Sequence, residues 1–213
     1  MTTGAMTHET QAGSGPAYNA ELDLEQRVLL ATPEYTTRGI LFMATLRMVR
    51  DLGADDAMVQ SCLEASGEKE FVEFFNYPTS SLLRLIGAAA RALSPKYGSF
   101  EEAVRQIGWM SGEVYMASAV GRSAQHMMVG AEDPMLLVRT FQSLYKVSMA
   151  YSEPTVVWMG PKRGILAVQR TFTPLPFHEG GALAMAARLG VKNVKVRARS
   201  TGPLSIELDI SWE

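Results

Sequence analysis

The chain has almost no cysteine. Cys62 is the only one in 213 residues, so no internal disulfide can form and no thiolate cluster of the zinc-binding kind is available. Histidine is nearly as scarce, with three residues, and neither sign of charge dominates: 20 Lys and Arg against 22 Asp and Glu leave a formal net charge of -2. Such a balance supplies no positive field for a phosphate backbone, which argues against nucleic acid as a partner. Long apolar runs are missing too. The most apolar stretch, Leu82 to Leu93, is broken by Arg84 and Arg91, whereas a membrane-spanning helix needs about 20 apolar residues. Met1 to Pro16 contains no apolar segment of the secretory type. No phosphate loop, dinucleotide fingerprint, nucleophile elbow or metalloprotease motif occurs. These absences fit a protein of the reducing cytoplasm, with Cys62 a small buried hydrophobe on a helix.

What is present is enough apolar material for one sizeable core, 47% of residues. Residues 1–33 combine low hydrophobicity with turn formers and read as a disordered or weakly ordered tail, with a short helical or docking piece at Leu22 to Leu30. Residues 34–213 read as a single α+β domain, with a helical half over 34–152 and a sheet half over 153–213. Helical periodicity runs from Ile40 to a stop at Gly53, and Asp55 starts a second helix that ends at Gly67. The apolar spacing of Phe71, Val72, Phe74 and Phe75 predicts a short third helix. Thr79 or Ser80 opens the next, which Ser94-Pro95 ends. Ser99, followed by Glu101 and Glu102, marks another start. A segment from Ser118 to Val129 closes at Gly130, and Asp133-Pro134 begins the last helix of this half, reaching Tyr151.

After Pro154 the period falls from helical to two. Thr155 to Met159 and Ile165 to Phe172 read as a hairpin, followed by a helix from about Phe177 to Leu189 that stops at Gly190. In the final hairpin Val194, Val196 and Ala198 alternate with Lys195, Arg197 and Arg199, and Leu204 to Trp212 alternates likewise. An odd-length loop centred on Gly202 would pair Lys195 with Asp209 and Arg197 with Glu207, keeping the apolar faces together. A one-residue slip would set Arg197 against Leu208. The fold class is therefore α+β: an N-terminal helical bundle, then a four-stranded antiparallel sheet in strand-strand-helix-strand-strand order, covered by a helix.

Two histidines are candidates for a cavity, His178 and His126. His126, among Met127, Met128 and Val129 at a helix end, suits either satisfaction of terminal carbonyls or ligation of haem iron. His178 follows Pro176 and stands beside Glu179 at a helix start. There it suits a backbone bond or, paired with Glu179, acid-base chemistry, although no nucleophile accompanies it. Tyr145, Tyr151 and Trp158 bracket the junction of helical and sheet halves and read as interlayer core. Thirteen methionines suit adaptable core filling or a remouldable pocket.

The blocks Cys62-Leu-Glu-Ala-Ser-Gly-Glu-Lys, Phe74-Phe-Asn-Tyr-Pro, Ser94-Pro-Lys-Tyr-Gly, Pro174-Leu-Pro-Phe-His-Glu-Gly and Leu208-Asp-Ile-Ser-Trp-Glu resemble a paralogous family of uncharacterised myxobacterial proteins, a domain of unknown function. More remotely, the order of elements is similar to haem-nitric-oxide/oxygen-binding domains and to the vinyl-reductase-type and transport-particle domains that share their ligand-binding fold. Thr37-Arg-Gly-Ile-Leu-Phe resembles the opening helix of those sensors. In haem-binding members a histidine on the helix before the sheet ligates iron, and a tyrosine-serine-arginine motif after the first hairpin holds the propionates. Aligned by element, these positions fall at or near Tyr145 and at Pro174, Pro176 and His178. None of the expected residue types is there. The resemblance therefore disfavours ordinary haem binding, leaves tyrosine ligation at Tyr145 open, and carries Tyr145 over only as a cavity position.

Together these readings describe a non-enzymatic cytoplasmic signalling or regulatory module with an apolar small-molecule pocket between helices and sheet. Its partners would be a small apolar molecule and a protein partner or second copy of the chain. The alternatives are a protein-interaction scaffold with a self-filled core and, behind it, a haem-based gas sensor.

Overall fold

The computed structural model describes residues 18–51, 55–119, 121–123 and 135–213. Asn19 caps the first helix, α1 (Ala20–Leu30), accepting from the backbone N–H groups of Glu21 and Leu22. This helix is docked: Leu24 is buried in the main core. The packed body thus starts upstream of residue 34. Composition concealed this because α1 carries four charged residues, Glu21, Asp23, Glu25 and Arg27, and one of its buried side chains is Arg27.

A short strand, β1 (Thr36–Arg38), leads into α2 (Gly39–Asp51), and α3 (Asp56–Ser66) follows. Asp55 caps α3 by accepting from Met58 N–H, and Gly67 ends it in the left-handed region at φ 78°. Phe71 to Phe75 do not form the expected helix. They make a turn into β2 (Asn76–Pro78), which pairs antiparallel with β1, Thr37 opposite Tyr77. The pairing wins because Gly39 and Ile40 N–H donate to the carbonyls of Phe75 and Glu73, satisfying the free donors at the start of α2.

Helix α4 (Thr79–Tyr97) carries the broad apolar face expected of it, with Leu82, Leu83, Leu85 and Ile86 fully buried. It does not stop at Ser94-Pro95. Pro95 lies in its last turn, and Gly98, at φ 84°, ends it. In α5 (Phe100–Ala117) the Ser99 side chain accepts from Glu102 N–H, as the acidic first turn implies. The next described long helix is α6 (Met135–Ser148). The expected start at Asp133-Pro134 and most of the Ser118–Val129 segment, His126 included, lie outside the described residues.

The sheet has the order β3-β4-β6-β5, antiparallel throughout. Its strands are β3 (Glu153–Gly160), β4 (Arg163–Gln169), β5 (Lys195–Gly202) and β6 (Ser205–Ser211), with α7 (Leu175–Arg188) between the two hairpins in sequence. In the second hairpin the faces are sorted as expected, Ala198 lying opposite Leu208. The register differs: Arg197 faces Asp209 and Arg199 faces Glu207, two places beyond the expected pairing. A register shift between Ser200 and Gly202 adds Thr201 to the turn. That extra residue keeps apolar with apolar around a tight turn.

Candidate functional site

Helix α7 meets α5 almost backbone to backbone. A methyl group at Gly108 would stand 2.0 Å from the Phe177 carbonyl oxygen, and one at Gly180 would stand 1.9 Å from that of Arg105. Glycine at these positions is what closes the bundle onto α7. The same approach sets His178, in the first turn of α7, directly against α6.

His178 and Tyr145 are both buried, at 2% and 1% exposure. Their rings stack with centroids 5.6 Å apart and planes 24° from parallel, and the Tyr145 hydroxyl is bonded to Nδ1 of His178. On its other edge, Nε2 lies 3.0 Å from the Thr173 carbonyl oxygen, 2.9 Å from Thr173 Oγ1 and 3.2 Å from Thr171 Oγ1. A carbonyl only accepts, so Nε2 carries the proton, and Nδ1 accepts from the phenol. Burial, and then the nearby Arg27 cation, push the His178 pKa down to about 3, so the ring is neutral. Burial likewise pushes the Tyr145 phenol well above its usual range, which keeps it protonated.

Arg27 gave no sign of itself in the sequence. Its side chain is 2% exposed, its Nε lies 2.8 Å from Asp23 Oδ1, and its Nη1 donates to the Thr171 carbonyl at 2.9 Å. Tyr18 bonds Asp23 at 2.9 Å and accepts from Leu175 N–H at 3.2 Å. This chain of contacts ties α1 to the start of α7. Nearby, Tyr151 contacts Tyr35 and Phe172 edge-on, and its hydroxyl lies 3.3 Å from Thr37 Oγ1 and 3.4 Å from Thr79 Oγ1.

Glu179 does not join His178. Its carboxylate takes Arg105 Nη2 at 3.0 Å and the Ala198 N–H at 2.9 Å, clamping α7 between α5 and β5. The suggested acid-base pair is thus two separate structural contacts.

The space around Tyr145 and His178, enclosed by Leu41, Gly108, Phe141 and Phe177, is a cavity of about 20 Å³. That is room for about one water molecule. The apolar pocket expected between bundle and sheet is therefore closed, because the glycines of α5 and α7 let backbone fill it. A larger pocket of about 140 Å³ lies one turn further along α6, lined among others by Ile40, Phe74, Tyr115, Ala119, Val147 and Ser148. The Ser148 Oγ is buried and has no hydrogen-bond partner among the described residues. Nothing in the sequence marked this serine. Among the described residues no cluster of three His, Cys, Asp or Glu is placed to hold a metal ion, and no helix is long and apolar enough to cross a membrane.

The fold is that of H-NOX domains, the haem-nitric-oxide/oxygen-binding class. An H-NOX protein from S. oneidensis, solved in its Fe(II)NO ligation state, matches 83% of this chain and 99% of its own at a TM-score of 0.61 and 15% identity. The unliganded Fe(II) H-NOX protein from K. algicida matches 83% of this chain and 96% of its own, with a TM-score of 0.57 and 14% identity. At such identity the likeness is one of fold. No curated protein sequence matches the chain. Residues 30–213 match the family described as "Protein of unknown function (DUF2378)", and the chain belongs to that family.

Proposed function

We propose that this protein is a non-enzymatic, cytoplasmic signalling or regulatory module that reports the binding of a small apolar molecule. The observation that carries the reading is the 140 Å³ apolar pocket set into an H-NOX fold. The fold supports a sensing role by analogy, and the pocket supplies a place for a ligand. A non-catalytic role is supported by His178, whose two ring nitrogens are both engaged in the interior.

Solved structures of this fold include an iron-ligated state, so haem is the group the fold implies, and the residues do not fit it. Aligned by element, the expected iron ligand falls at or near Tyr145, whose phenol is protonated and bonded to His178. The adjoining space of about 20 Å³ is far below the roughly 300–1,000 Å³ of cavities that hold drug-sized ligands.

Native mass spectrometry of freshly purified protein, with solvent extraction, tests the reading. A bound small molecule displaced by denaturation is the expected result. Protein that carries none, and whose melting temperature is unmoved by a panel of small apolar compounds, would overturn it. In that event the self-filled scaffold, binding a protein partner or a second copy, would take its place.

A further inference from the structure

The pocket beside Ser148 says more about its occupant than that it is apolar. We propose that it is a binding site for a neutral, single-ring molecule carrying one hydrogen-bonding group, held by the Ser148 hydroxyl. The inference rests on the ligand-binding reading above and narrows it to a site and a chemical class.

Size sets the first limit. At about 140 Å³ the space is close to the roughly 150 Å³ of an apolar cavity that takes up benzene, so one ring fills it. The lining sets the second. Ile40, Tyr115 and Val147 present mainly apolar surface, which excludes a sugar or nucleotide. Arg38 and Glu73 stand together in the wall with opposite charges, and Arg38 Nη1 is already donated to the Phe74 carbonyl at 2.5 Å. Neither sign of ligand charge is therefore selected.

Ser148 sets the third limit. The residue is 1% exposed, it lines the pocket, and its Oγ makes no hydrogen bond among the described residues. Serine hydroxyls inside helices commonly bond the carbonyl four residues back, as Ser94 and Ser111 do here. A buried hydroxyl left without a partner is costly, and a ligand atom that bonds it removes that cost. Phe74 is a second mark of a missing contact. It lines the pocket while its side chain stays 66% exposed, and a ring seated beside it would cover that face.

Phenol and benzene are the probes, read through the methyl resonances of Ile40 and Val147 in the full chain. Both should bind saturably, phenol more tightly. Ser148→Ala should weaken phenol about tenfold, the effect of losing one hydrogen bond, and leave benzene unchanged. Val147→Trp, a change at a half-exposed rim position, should abolish both in protein whose circular dichroism and melting temperature match the parent. If Ser148→Ala leaves phenol affinity unchanged while both probes still bind, the hydrogen-bonding assignment falls and the apolar-ligand reading stands. If neither probe shifts these methyls in a folded protein, the site falls. Whether the broader reading falls with it is then decided by the extraction experiment, which does not depend on this pocket.

Discussion

Ser148 lies one turn beyond Tyr145 on α6, and their two buried hydroxyls are treated oppositely: that of Tyr145 is bonded to Nδ1 of His178, whereas that of Ser148 has no partner among the described residues. The same chemical group is thus a tie between layers at one position and an unmet donor three residues later. Opposite responses to its removal follow.

Tyr145→Phe deletes the phenol oxygen and strands Nδ1 of His178 in the interior. Leaving a buried acceptor unsatisfied costs about 1–3 kcal/mol, so urea denaturation should give a lower midpoint with an unchanged slope. A stability equal to that of the parent would mean that the bond contributes nothing.

Ser148→Ala removes the unpaired hydroxyl and should stabilise the ligand-free protein by about 1 kcal/mol, a rise of about 2–4 °C in melting temperature for a chain of this size. Calorimetry on extracted, ligand-free protein checks the sign. A fall in melting temperature would show that the hydroxyl has a partner in solution.

Acid should loosen the fold through His178. Its pKa is pushed down to about 3 from the ordinary 6.5, so between these values the unfolded chain binds the proton and the folded one does not. Stability is therefore fully present above pH about 6.5 and declines as pH falls toward 3, at up to about 1.4 kcal/mol per pH unit from this group. In His178→Gln the decline over this window should be shallower by that amount. Parallel curves for the two proteins would remove His178 as the cause.

The glycines of α5 and α7 should differ sharply in tolerance. Gly180→Ala would put its methyl 1.9 Å from the Arg105 carbonyl oxygen, whereas at Gly181 the nearest atom lies 3.5 Å away. Overpacking should cost Gly180→Ala about 1–3 kcal/mol or more. Gly181→Ala should be neutral or stabilising by up to about 1 kcal/mol, since alanine is the better helix former. Equal thermal stabilities would show that the two helices are further apart than described.

Arg27→Met should release α1. It removes the bond to the Thr171 carbonyl and the ion pair with Asp23, contacts of a charged group worth about 1.5–3 kcal/mol each. Limited proteolysis should then cut near Leu30 before any other site. His178 should titrate at higher pH as well, because the Arg27 cation is one of the causes that lower it.

The residues themselves determined the strand-strand-helix-strand-strand order, the start of α3 at Asp55 and of α5 at Ser99, and the sorting of apolar and charged faces in β5 and β6. Each rests on forces acting within a few residues: a capping hydroxyl or carboxylate, a left-handed glycine, an alternation of period two. Element alignment singled out Tyr145 and His178 separately, and the bond between them is a product of the tertiary structure. Tertiary structure alone decided the rest. Phe71 to Phe75 gave up helical spacing for the pairing of β1 with β2, and a turn at Pro203-Leu204 with a bulge at Thr201 set the final register two places from the expected one. Arg27 went inside because α1 had the start of α7 to close against. The expected pocket closed because Gly108 and Gly180 bring two helices, far apart in sequence, into backbone contact, and the larger space lies beside Ser148. Local pattern fixes which face of an element is apolar. How closely two such faces approach depends on the volumes of side chains that meet only after folding.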